Sequence, residues 1–82
     1  MTDETILILK YTGNRFRYFR KERGISRKTA AEMIGITPRT LASYERGERE
    51  ITVDKVAKMA EVYKTTFTNL TDYKNVLNTI RA

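Results

Sequence analysis

Residues 37–46 read Thr-Pro-Arg-Thr-Leu-Ala-Ser-Tyr-Glu-Arg. The polar side chains of this stretch suit an extended, hydrogen-bonding polyanion. The guanidinium groups of Arg39 and Arg46 are planar forks that match two acceptors side by side, such as phosphate oxygens or the O6 and N7 edge of a guanine. Thr37, Thr40 and Ser43 add short hydroxyl donors, while Pro38, with no donor, can at most touch a thymine methyl. Upstream, Ser26, Arg27 and Lys28 group one hydroxyl with two cations, and downstream Arg49 stands beyond Gly47. This is the chemistry of recognition, and groups that make or break bonds are scarce. The chain has no His and no Cys, which removes the commonest general base and the soft metal ligands. It has no Gly-rich loop to cradle a nucleotide phosphate, and Asp3-Glu4 fits the first turn of a helix better than a catalytic pair. Neither an enzyme nor a bound metal or cofactor is expected.

The net charge of +6 is unevenly spread. Residues 1–9 carry −2, residues 10–49 carry eleven Lys/Arg against four Glu, and residues 50–82 are near balance at +1. Eight of the eleven central cations are Arg, which favours bidentate phosphate contacts over a merely solvated face. The positive charge thus coincides with the recognition residues. The longest apolar run, Ile6 to Leu9, is far too short to span a membrane. A cytoplasmic protein without membrane association is expected.

Two short helices must position these residues. Ser26 is a good N-cap, and Ala30, Ala31 and Ile34 follow it as an apolar stripe. Gly35 ends that helix, because glycine enters the left-handed conformation without a Cβ penalty. Thr37 then caps a second helix, and Pro38 takes its first position, where the missing N–H had no partner. That helix runs through Leu41 and Tyr44 to about Arg46, and Gly47 stops it. Helix, glycine turn, helix is the helix-turn-helix pattern. On its second helix Leu41 and Tyr44 point to a core, leaving Thr37, Pro38, Arg39, Ala42, Ser43 and Arg46 outward.

With Arg20 and Gly24 before the motif and Ala31, Gly35, Ile36, Leu41, Tyr44, Glu45 and Gly47 within it, the sequence resembles the lambda-repressor/Cro-like (XRE-type) helix-turn-helix family over roughly residues 13–70. Residues 52–63 are similar to the family's fourth helix and residues 66–70 to its short fifth. The resemblance implies an all-α, compact five- or six-helix lambda-repressor-like domain that binds double-stranded DNA as a transcriptional regulator. In such a protein the helix from Pro38 lies in the major groove with its first residues at the base edges. Arg20 on the first helix would then bond Glu45 at the end of the reading helix. The family implies a repressor of phage or mobile-element type, acting as a homodimer on a palindromic operator. It equally includes antitoxins, so the alternative is a module whose Ile6–Leu9 or Tyr73–Ile80 segment docks a partner toxin protein. Two departures stand out. Glu48, Glu50 and Ile51 occupy a loop where the family has Lys/Arg and Pro, which leaves Arg49 as its one phosphate contact. Lys64 replaces a usual Gly, so a strained or differently shaped turn is expected there.

The rest of the chain reads as support. Residues 1–82 fit a single domain, with 13–70 as its core and 71–82 as an extra C-terminal helix. Residues 4–23 read best as one helix weakened at Gly13, with Phe16 and Phe19 inward and Arg15, Arg17, Lys21 and Arg23 outward. The alternative is a short strand at Ile6–Leu9 ahead of a helix from about Thr12. Thr52 caps a helix with the stripe Val53, Val56, Ala57, Ala60 and Tyr63 and with Met59 beside it as core, and Thr66 caps another anchored by Phe67 and Leu70. Tyr73, Val76, Leu77 and Ile80 form one more stripe, expected to meet its symmetry mate in a homodimer or else to fold back on Val53–Tyr63. Arg27 and Lys28 fall in the first turn of a helix, an end that disfavours cations by roughly 0.3–1 kcal/mol each. Their placement makes sense if a phosphate sits at Ser26–Arg27, where free N–H groups also point.

Overall fold

The computed structural model describes residues 2–72. Five helices follow one another: α1 (Asp3–Glu22), α2 (Arg27–Ile34), α3 (Pro38–Glu45), α4 (Val53–Tyr63) and α5 (Phe67–Thr71). No strand occurs among the described residues. Four of the helices start on a hydroxyl: Thr2, Ser26, Thr37 and Thr66 each accept from the backbone N–H three residues on. At α4 Thr52 holds the cap position without making that bond. Its side chain instead draws the Asp54 carboxyl below the usual range.

Residues 3–22 are one continuous helix, so the strand alternative falls. Gly13 is buried where α1 crosses the end of α3, and a Cβ there would lie 2.6 Å from the carbonyl oxygens of Tyr44 and Glu45. Gly47 lines the same seam from the other side, since its Cβ would meet the Lys10 backbone at 2.7 Å. The two missing side chains let α1 and α3 approach closely.

The core gathers Phe16 from α1, Ala30, Ala31 and Ile34 from α2, Leu41 and Tyr44 from α3, five residues of α4 and Leu70 of α5. Four sequence expectations need correction. On α4, Val53 is 72% exposed and Ala57 is exposed, whereas Val62, outside the expected stripe, is buried; Met59 is buried as expected. The buried arc is set by α2 and α5, the helices packed on α4, and neither covers its first turn. Phe67 is 41% exposed, which leaves Leu70 as the anchor of α5. Arg15 is half-buried and committed within the chain, not simply outward: its Nε donates to the Asn69 carbonyl, and its guanidinium lies 5.8 and 5.6 Å from the ring centres of Tyr11 and Phe19. At Lys64 the expectation of a strained turn holds: the backbone keeps the left-handed shape of a glycine cap, φ 58° and ψ 42°, at a strain of roughly 1–2 kcal/mol. The helix expected over 71–82 lies outside the described residues, except that Thr71 closes α5 with its hydroxyl on the Phe67 carbonyl at 2.9 Å. Among the described residues no helix is long and apolar enough to cross a membrane.

Tyr63 shows how tightly this core closes. The residue is 2% exposed, and its hydroxyl has no hydrogen-bond partner among the described residues. Burial pushes the phenol far above its ordinary range, with the nearby Glu45 charge adding to the rise and Arg20 opposing it. An unpaired buried hydroxyl costs about 1–3 kcal/mol. Tyr63→Phe is therefore expected to leave stability unchanged or raise it by roughly 1 kcal/mol, read as the urea midpoint. A clear loss would mean that the hydroxyl is bonded after all.

Candidate nucleic-acid interface

The turn between α2 and α3 is built from three local devices. Gly35 is left-handed at φ 89° and ψ 32°, and the N–H groups of Gly35 and Ile36 both reach the Ala31 carbonyl, at 2.9 and 3.0 Å. Ala31 has no exposed surface, and a larger side chain there would push the two helices apart. Pro38 then starts α3 beside the Thr37 cap. At the far end the N–H groups of Gly47 and Glu48 return to the carbonyls of Tyr44 and Ser43, at 3.1 and 3.0 Å.

A buried ion pair fixes α3 from behind. Arg20 and Glu45 are 7% and 4% exposed. Arg20 Nε donates to Glu45 Oε2 at 2.7 Å, Nη2 donates to Oε1 at 3.2 Å, and Nη1 donates to the Ile25 carbonyl at 3.0 Å. This is the bidentate geometry that gives the strongest charge-assisted bonds. The Arg20 pKa is raised, chiefly by the hydrogen bond to Glu45, which outweighs desolvation. Arg27 adds a contact that sequence reasoning missed: its Nε donates to Glu45 Oε1 at 3.2 Å. One carboxylate thus ties α1, α2 and α3. The signal was the cation in the first turn of α2, unfavourable for that helix alone. The Arg27 side chain stays 42% exposed, so its outer nitrogens can still reach an anion.

The sequence-named residues on the outer side differ in how committed they are. Arg39, Lys28 and Arg49 are exposed and have no hydrogen bond or ion pair among the described residues. Pro38 is exposed beside Arg39. Arg46 Nη2 meets Glu48 Oε1 at 3.0 Å on the surface, which raises the arginine and lowers the carboxyl. Four hydroxyls are engaged locally: Ser26 and Thr37 cap their helices, Thr40 Oγ1 lies 2.9 Å from Thr37 Oγ1, and Ser43 donates to the Arg39 carbonyl at 3.2 Å. Ala42 does not face outward as expected. It is 8% exposed, because α1 and α2 cover α3 from two sides and widen its buried arc. Tyr73, Val76, Leu77 and Ile80 lie outside the described residues. Among the described residues no three acidic, His or Cys side chains come together in a way that could hold a metal ion.

Residues 16–70 match the helix-turn-helix family HTH_3. The chain belongs to this family, the lambda-repressor-like (XRE-type) class of DNA-binding regulators. The HTH-type transcriptional regulator RamB of Mycobacterium tuberculosis is 38% identical over 53 residues, covering 65% of this chain and 11% of RamB. The chain spans no more than 20% of the length of the curated relatives it matches. The restriction-modification controller protein C.AhdI of Aeromonas hydrophila superposes with a TM-score of 0.78 at 26% identity, covering 84% of this chain and 99% of that one. The DNA-binding domain of BldD gives 0.72 at 29% identity, covering 87% and 99%. The family match begins at residue 16, within α1, so the first part of that helix lies outside it.

Proposed function

We propose that this chain is a sequence-specific regulator of transcription, a cytoplasmic repressor of the phage or mobile-element type that binds a palindromic operator as a homodimer. The observation that carries this reading is Arg39: exposed, without a partner among the described residues, and placed in the first turn of a helix whose back is locked by the Arg20–Glu45 pair. From that position a guanidinium reaches guanine O6 and N7 when the helix enters the major groove by its N-terminal end. Lys28, Arg49 and the outer nitrogens of Arg27 and Arg46 supply backbone phosphate contacts; the hydroxyls of Ser26, Thr37, Thr40 and Ser43 stand around them and join in by exchanging their local bonds for bonds to DNA. The dimer follows from economy of contact. One short helix reads too few base pairs for useful specificity, whereas two half-sites about one DNA turn apart suffice. The Tyr73–Ile80 stripe is the sequence feature suited to join the copies.

Selecting bound sites from random DNA tests this directly, because the length and symmetry of the selected site report the oligomer. On that site Arg39→Ala is expected to cost about 1–3 kcal/mol, far more than on random DNA, with preference lost at a single G·C pair per half-site. Lys28→Ala should instead weaken all sequences alike and shallow the salt slope by about one unit. Equal losses for Arg39→Ala on every sequence would make it a backbone clamp and hand specificity to Ser43, Pro38 or DNA shape.

One observation favours a second role, docking of a partner such as a toxin. Ile6 and Leu7 are 36% and 46% exposed on the first turns of α1. Retention on a partner protein with no salt-dependent DNA binding would replace the first reading with this one.

A further inference from the structure

The first part of α1 carries a feature that the helix-turn-helix itself does not use. Lys10, Asn14 and Arg17 fall at i, i+4 and i+7, so they form one stripe on α1, and all three are exposed. They form one wall of an open groove of ≈ 510 Å³, whose other wall is the end of α3 and the residues after it, Glu45 to Glu48. Between the two walls the Gly47 backbone packs directly on that of Lys10, with no room for a side chain.

The charges in this groove do not cancel. Glu45 is held from behind by Arg20 and Arg27, and Glu48 is paired with Arg46. Lys10 and Arg17 have no acidic partner among the described residues. Two free cations with an amide between them suit a phosphodiester, whose oxygens accept from all three groups. The location fits the same occupant. Arg46, the C-cap of the reading helix, sits in the opposite wall, so the groove opens where that helix leaves the bases and meets the backbone.

We infer that Lys10, Asn14 and Arg17 form a second phosphate-binding groove that grips the backbone of double-stranded DNA flanking the half-site read by α3. This inference rests on the DNA-binding reading above. Lys10 and Asn14 precede the part of the chain that matches the family, so the grip is an addition made by the longer α1. It lengthens the footprint and adds no base readout.

The test uses the full chain and two duplexes: a selected site cut at its outermost specified base pair, and the same site extended at each end by about half a helical turn, roughly 5 base pairs. The variants are Lys10→Gln with Arg17→Gln, and Arg39→Ala as the comparison. Both groove side chains are exposed, so unchanged thermal melting is the check that the double variant folds. The expected result is that the wild type prefers the extended duplex and binds it with a steeper salt dependence. The double variant loses that preference, its salt slope on the extended duplex falls by about two units, and its affinity for the short duplex is unchanged. Equal affinity of wild type and double variant for the extended duplex overturns the groove, as does an equal loss on both duplexes. If Arg39→Ala still discriminates against wild type in either case, only the groove fails. If the wild type binds neither duplex, the DNA-binding reading fails and takes the groove with it.

Discussion

Replacing Glu45 with Ala is expected to destabilise the fold by about 3–5 kcal/mol, because it strands the Arg20 guanidinium in the interior. Three of the four hydrogen bonds gathered at this site end on the one carboxylate: two from Arg20 and one from Arg27. The fourth, from Arg20 to the Ile25 carbonyl, cannot neutralise a charge. Removing both Arg20 and Glu45 takes away the stranded charge as well as the pair, so the double variant should recover part of the loss. Arg27→Ala should cost much less, about 0–1 kcal/mol, since its side chain is 42% exposed and solvent screens its share. Urea unfolding of the two single variants and the double variant closes the cycle. Strictly additive losses would refute the coupling. The pair also bears on recognition: it joins the first helix to the last residue of α3, so its loss frees the tilt of the reading helix. Affinity for a specific site should therefore fall more than affinity for random DNA, even where most molecules remain folded.

The helix boundaries were legible because their signals are local. Ser26, Gly35, Thr37-Pro38 and Gly47 each act within a few residues of themselves: the structure places caps at Ser26, Gly35 and Thr37, and a left-handed Gly47 just past the Arg46 cap. What sequence reasoning missed depends on neighbours distant along the chain. Val53, Ala57 and Ala42 were sorted by periodicity, but which arc of a helix is buried depends on which helices pack against it. Arg15 looked like a solvent-facing cation until α5 placed the Asn69 carbonyl within its reach. The Arg20–Glu45 pair spans 25 positions and was read from family resemblance, with no local pattern to announce it. Arg27 was assigned to a phosphate at the start of its helix, and its bond to Glu45, 18 positions away, emerges only from the packing of α2 against α3. Of the interface residues, position was legible but commitment was not. Arg39 and Arg46 are both arginines on one helix, and only the structure shows the second already paired with Glu48.

Gly13 was read as a weak point in a helix, and the structure makes it a requirement. Gly13→Ala is expected to lose stability even though alanine is the better helix former by about 1 kcal/mol. The new Cβ would lie 2.6 Å from two backbone carbonyl oxygens at the end of α3. Backbone at a helix C-terminus cannot rotate away as a flexible side chain can, so α1 must shift off α3. Overpacking of this kind costs about 1–3 kcal/mol and sometimes more. Gly47→Ala meets the same seam with a second penalty. Its Cβ would lie 2.7 Å from the Lys10 backbone, and its φ of 70° adds about 1–2 kcal/mol of left-handed strain. Gly24→Ala separates the two causes: φ is 69°, but nothing lies within 4 Å of the added Cβ. Thermal melting of the three variants should therefore rank Gly47→Ala as the most damaging, with Gly24→Ala showing strain alone. Gly13→Ala should fall below wild type by clash alone. A Gly13→Ala protein that melts at or above wild type would mean the seam opens without cost, and the close approach of α1 to α3 would then not be what holds the reading helix in place.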